Sequence, residues 1–236
     1  MEFSYRLNFS KTGRARFIAH LDTLSCLMRA IRRTGYELAL TKGLRPKPVL
    51  SLAMPLGVCV EGEDEICDFS LKQRVPLTEF ARKLNRELPE GMELKSVSPC
   101  FDRAKSAARV TSVSYRIELD RPFAGGADAA AVYNRMEEMP LLRRRPKGDK
   151  MVDVKKYVGS VEASADDRCV TFSMDVTPSG TARPEEVMRA LNEISGSDCG
   201  DYRIIRTSIV LKEDTPPPPP GRARVGQRRK YRLKRQ

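Results

Sequence analysis

The chain predicts an α+β fold of two tandem ferredoxin-like units with a disordered basic C-terminal tail. Three observations predict it. The order strand, helix, strand, strand, helix, strand can be read twice along the 236 residues. Hydrophobic residues make up 40% of the chain, enough to bury a core in domains of roughly 100 to 200 residues. Basic side chains crowd the last sixteen positions, where no acidic one stands. The expected boundaries are 1–105 for the first unit, 106–213 for the second, and 214–236 for a Pro-rich linker and polybasic tail.

In the first unit, residues 3–9 alternate as a strand does, and after the Lys11-Thr12-Gly13 turn residues 15–18 should continue it. Asp22 is placed to cap a helix in which Leu24, Leu27, Met28 and Ile31 recur at helical spacing, with Gly35 as the stop. Residues 36–40 and 49–54 read as extended segments around the loop TKGLRPKP, which two prolines and a glycine stiffen. Residues 65–71 are strand-like. Leu77, Phe80, Ala81 and Leu84 mark a second helix starting near Pro76, and residues 92–97 close the unit.

The same order returns after a polar connector at 102–109. Residues 112–119 are a strand, 128–139 a helix, and 151–163 and 169–176 two further strands. A helix at 184–194 begins on Pro184 with Glu185 and Glu186 in its first turn, where carboxylates suit the helix dipole. Residues 203–211 form the last strand. Each unit should lay its helices on one sheet face and leave the other as a possible binding surface.

Charge points to polyanions. The net charge is +12, the tail contributes eight basic groups, and residues 1–60 carry ten basic against three acidic. Arg14 and Arg16 precede the first helix, Arg29, Arg32 and Arg33 share one of its ridges, and Lys42, Arg45 and Lys47 sit in the stiff loop. Arg143, Arg144, Arg145, Lys147 and Lys150 form a second cluster in a loop, followed by Lys155 and Lys156. The tail, with Arg228, Arg229 and Lys230, follows five consecutive prolines that favour extended geometry. Tyr231 among its arginines favours RNA, since an aromatic ring stacks on an unpaired base while cations meet phosphates. An acidic run from Glu61 to Asp68 reads as a solvated loop on a hairpin.

Catalytic options are few. No phosphate-binding glycine loop, nucleophile elbow or H-E-x-x-H is present, and His20 is the single histidine. Either His20 is satisfied by Asp22 or backbone groups, or it is the general base of a metal-independent RNA cleavage in which nearby cations stabilise the phosphorane. The six cysteines form no C-x-x-C pair, so no metal site and no cofactor are expected. No stretch approaches the ~18 to 20 apolar residues of a membrane span and no signal-peptide core opens the chain, so no membrane association and a cytoplasmic location are expected.

The segments RFIAHLD (16–22), RAIRRTG (29–35), KGLRPKP (42–48) and SLAMPLGV (51–58), with DVKKYV (153–158) and GTARPEEV (180–187), resemble an uncharacterised bacterial family that is radical-SAM-associated. Its members are fused to, or encoded beside, cobalamin-binding radical SAM proteins. The resemblance implies such a partner. This chain has no C-x-x-x-C-x-x-C to hold a radical SAM cluster, so it would be the accessory half. The family's neighbours imply an RNA or ribosomal substrate, and no catalytic residue carries over. The first unit is also similar in topology to the RNA-processing ferredoxin-like endonucleases of CRISPR systems, several of which use a histidine near the first helix. The expectation is an RNA-binding accessory protein; the alternative is an endoribonuclease using His20.

Overall fold

The computed structural model describes residues 2–101, 106–146 and 148–212. The Pro-rich linker and tail, with Arg228, Arg229 and Lys230, and Lys147 of the second cluster, lie outside the described residues.

The first half runs β1 (Phe3–Lys11), α1 (His20–Arg33), β2 (Leu50–Leu52), β3 (Val60–Leu71), α2 (Leu77–Glu87) and β4 (Met92–Pro99). The second runs β5 (Val110–Leu119), α3 (Gly126–Arg135), β6 (Pro140–Arg143), β7 (Lys150–Asp153), β8 (Val161–Ala163), β9 (Cys169–Asp175), α4 (Pro184–Ser195) and β10 (Tyr202–Leu211). The fold is mixed α+β with a mostly antiparallel sheet, ordered β4-β1-β3-β10-β5-β9-β8, and β2 also pairs with β3. β6 and β7 form a separate hairpin. The exception to antiparallel pairing is the seam between the halves, where β10 runs parallel to β3 through Ile204 beside Val60 and Arg206 beside Gly62.

Alternation along the strands decides which face is buried. Tyr5, Leu7 and Phe9 pack with Leu27, Ala30 and Ile31 of α1 and Phe80 and Leu84 of α2. Val113, Tyr115, Ile117 and Leu119 pack with Tyr133 of α3 and Val187 and Leu191 of α4. Pairing places Gly62 opposite Lys11, two residues on from Phe9, and Arg206 beside Gly62. Both helix layers therefore cover the same side of one sheet. α1 links β1 to β2, which flank β3, and α4 links β9 to β10, which flank β5. These two are accordingly the helices nearest the seam.

Several local expectations are corrected. Residues 15–18 do not extend β1: residues 15–17 belong to a short 3₁₀ helix, Gly13–Phe17, and Ile18 after it has extended backbone. α1 begins at His20 with Ala19 as its cap, so Asp22 lies inside the first turn, where its charge still suits the dipole. Gly35 does end the helix region, at φ 86°, which a side chain would strain. The predicted strand 151–163 divides into β7, a 3₁₀ turn at Val154–Lys156 and β8, because Asp153 accepts the Lys155 amide and turns the chain. Of the second basic cluster, expected in a loop, Arg143 instead ends β6 and Lys150 begins β7, while Arg144 and Arg145 do stand in the loop between them. No helix among the described residues is long and apolar enough to cross a membrane.

Candidate nucleic-acid interface

Three charged side chains are sealed on the helix side of the seam. Lys11 of β1, Glu65 of β3 and Arg206 of β10 are 0%, 1% and 1% exposed. Arg206 donates from Nε and Nη2 to the two Glu65 oxygens at 2.8 and 2.5 Å, and from Nη1 and Nη2 to the carbonyls of Pro55 and Met54 at 3.0 and 3.2 Å. Lys11 Nζ donates to the carbonyls of Ile18 and Arg16 at 2.7 and 3.4 Å. Burial pushes the Lys11 ammonium below lysine's usual value, with Glu65 pulling the other way.

A register shift makes this arrangement possible. Phe9 pairs with Glu65 and Lys11 with Gly62, two residues on β1 against three on β3, so Gly62 and Glu65 share a face. A Cβ on Gly62 would sit 2.5 Å from Glu65 Oε1, and only glycine leaves room for that carboxylate. The consequence reaches the surface. The buried ions grip the backbones of 16–18 and 54–55, and the Cys59 amide donates to the Arg16 carbonyl at 2.9 Å, so both loops are fixed at the start of α1.

The face opposite the helices is self-neutralised. The acidic run expected in a solvated loop is instead the middle of β3, deep in the sheet. Asp68 binds Arg6 at 2.8 Å, and Asp64 accepts from Asn8 at 2.9 Å. Across the seam, charges alternate from Arg16 to Glu61, Arg203, Glu118, Arg116 and Glu63, with successive separations of 3.2, 4.0, 2.5, 3.1 and 2.5 Å. Glu63 and Glu118 hold the Arg116 guanidinium above its usual value, against partial burial.

The expected binding cations divide in two. Arg16 is in that network, Arg33 donates to Glu87 at 2.8 Å and ties α1 to α2, and Arg143 binds Glu186 through Nε and Nη2 at 2.5 and 2.6 Å. With side chains only 13% and 5% exposed, the Arg143 and Glu186 pair fastens the hairpin to α4. Arg14, Arg29, Arg32, Lys42, Arg45, Lys47, Arg144 and Arg145 are exposed and form no ion pair among the described residues. The loop carrying Lys42, Arg45 and Lys47 is closed by Thr41, whose amide donates to the Lys47 carbonyl at 2.7 Å and whose Oγ1 accepts the Lys47 amide at 3.0 Å.

His20 opens α1, half-buried, and its Nδ1 is buried with no hydrogen-bond partner among the described residues. Asp22, expected to satisfy it, is exposed and makes no such bond. The six cysteines are free. Cys67 is fully enclosed, and burial, with Asp68 beside it, pushes its thiol far up, which removes it from thiolate chemistry. Among the described residues no three His, Cys, Asp or Glu side chains are grouped to hold a metal ion.

Sequence reasoning missed Lys11, Glu65 and Arg206 as a unit. The available signal was Arg206 itself, a cation set in the interior of the strand YRIIRTSIVL, whose other cation, Arg203, stands next to its start.

A solved structure of an unknown protein from Galdieria sulphuraria aligns with 89% of this chain and all (100%) of its own, at 11% identity and a TM-score of 0.29. The solution structure of the N-terminal soluble domains of Bacillus subtilis CopA aligns over 87% of this chain and 94% of its own, at 10% identity and a TM-score of 0.21. Neither score supports a structural conclusion. No curated protein matches. The sequence profile of one family, described as an uncharacterized protein conserved in bacteria, matches residues 4–194, and the chain belongs to that family, DUF2344.

Proposed function

We propose that this protein is an RNA-binding accessory subunit, built of two ferredoxin-like units at 1–105 and 106–213, that presents an RNA to a partner radical SAM modifying enzyme of the cobalamin-binding kind. The RNA would be ribosomal or transfer RNA. The observation that carries the RNA reading is the division of cations. Arginines on the face opposite the helices are consumed by carboxylates, whereas Arg14, Arg29, Arg32, Lys42, Arg45 and Lys47, on and around α1, are exposed and without ion pairs among the described residues. Solvated cations without internal partners are what a phosphate backbone needs, because each neutralised phosphate releases condensed counterions. The reading of two ferredoxin-like units is supported by strand order, which is β4-β1-β3-β2 in the first half and, leaving out the separate β6–β7 hairpin, the corresponding β10-β5-β9-β8 in the second. The partner rests on the family resemblance alone.

The test is RNA binding by the full chain at low salt. Changing Arg29, Arg32, Lys42, Arg45 and Lys47 together to Gln should abolish a gel shift of bulk RNA, with the thermal midpoint unmoved because all five are exposed. Unchanged binding would remove the α1 side from the interface. Co-purification of a radical SAM protein from the source cells tests the partner.

A second reading, a metal-independent endoribonuclease, is favoured by the unpartnered Nδ1 of His20. Incubation with RNA in EDTA separates the two. Intact RNA with a retained gel shift supports the binder, and cleavage lost in His20→Ala supports the nuclease.

A further inference from the structure

We propose that the cleft beside the β6–β7 hairpin is a second anion site, one that takes a phosphoryl group. The cleft has a volume of about 620 Å³ and is lined by Arg145 and Lys150 of the hairpin, Lys156 and Tyr157 of the following turn, and Gly180 and Thr181 from the segment before α4. Two stretches far apart in sequence, 153–158 and 180–187, meet here.

The charges around the cleft fall into spent and unspent groups. Arg143 is spent on Glu186 and on the Thr181 carbonyl at 3.0 Å. Lys155 is spent on the carbonyls of Gly159, Tyr133 and Asn134 at 2.6, 3.1 and 3.4 Å. Asp153, the one carboxylate in the lining among the described residues, uses Oδ1 to accept the Met139 and Lys155 amides at 2.9 and 3.1 Å. Arg145, Lys150 and Lys156 are exposed and form no ion pair among the described residues. Three cations facing one concavity repel one another, and a multiply charged anion relieves that repulsion. A phosphoryl group fits the donors, since guanidinium and ammonium groups both bond its oxygens. A second cleft of about 760 Å³ shares Arg143 and carries Arg144, Arg183 and Arg189 together with Glu185 and Glu186, and Arg189 is itself engaged by Glu193 at 3.9 Å and the Leu142 carbonyl at 3.2 Å, so its charge is balanced where that of the first cleft is not.

The phosphoryl group can belong to an RNA backbone, which rests on the RNA reading above, or to a terminal phosphate or free nucleotide, which does not. Lysine footprinting distinguishes them. The full chain is treated with an amine-acetylating reagent in the presence of pyrophosphate, of a 5′-phosphorylated RNA oligonucleotide, or of the same oligonucleotide with a 5′-hydroxyl. Lys150 and Lys156 should be protected while Lys72, paired with Glu37, is not. Lys150→Gln with Lys156→Gln should weaken binding of the protecting anion by roughly tenfold or more. Protection by both oligonucleotides alike supports a backbone phosphodiester; protection by pyrophosphate or only by the 5′-phosphorylated strand supports a terminal phosphate. Protection by pyrophosphate with no RNA bound sustains the site and overturns the RNA reading. RNA that binds yet leaves Lys150 and Lys156 as reactive as in the free protein overturns the site and leaves the RNA reading standing. Reactivity unchanged by every probe overturns it too.

Discussion

Arg206 and Glu65, 141 residues apart, form a two-point ion pair on which both halves of the protein depend. The guanidinium comes from the last strand of the second half, and the carbonyls it also binds, of Met54 and Pro55, belong to a loop of the first. Removing one partner leaves the other charge buried. Glu65→Gln and Arg206→Met should each cost about 3 to 5 kcal/mol in urea denaturation. The double variant Glu65→Gln with Arg206→Met should lose much less than the sum. Additive losses would show that the two side chains are not energetically coupled.

Gly62 is the steric counterpart of that pair. Gly62→Ala would set its methyl 2.5 Å from Glu65 Oε1 and 2.6 Å from Glu65 Cγ, and Glu65 is pinned by Arg206. The expected loss is about 1 to 3 kcal/mol. Gly57→Ala is the control, because its methyl meets nothing nearer than Val60 Cγ2 at 3.5 Å. Equal thermal midpoints for the two variants would contradict the packing described.

Acid should loosen the hairpin from α4. Burial pushes the Glu186 carboxyl up, but the Arg143 hydrogen bonds and the Arg183 amide outweigh it and hold the group below its ordinary value. A carboxyl depressed in the folded state adds stability that is complete above the ordinary carboxylate range and is lost as pH falls through its folded value. Wild type should therefore exceed Glu186→Gln most at neutral pH, and the two should converge in acid. A gap independent of pH would mean the pair acts by shape alone.

The tail should govern how binding responds to salt. If its eight basic groups all meet phosphates of single-stranded RNA, ending the chain after Lys212 should flatten the log–log salt slope by about 5 to 6 units. A slope that does not change would take the tail out of the interface.

Periodicity made most elements legible. Leu24, Leu27, Met28 and Ile31 announced α1, and Pro184 with two glutamates announced α4 to within a residue at its end. What misled was polarity in a buried place. Glu61, Glu63, Asp64, Glu65 and Asp68 look solvated one by one, yet each meets a donor from another strand or turn, and the nearest in sequence, the Ser106 amide on Asp68, lies 38 residues away. Likewise Arg16, Arg33 and Arg143 looked as available as Arg29 or Arg45 until Glu61, Glu87 and Glu186 were brought against them.

The sequence by itself determined the run of strands and helices, the concentration of positive charge and the scarcity of catalytic side chains, because these follow from local spacing and composition. Only the tertiary structure decided which charges are spent. Coulomb attraction and desolvation depend on distance and burial, and those were set when β10 came to lie beside β3 and carried Arg206 to Glu65.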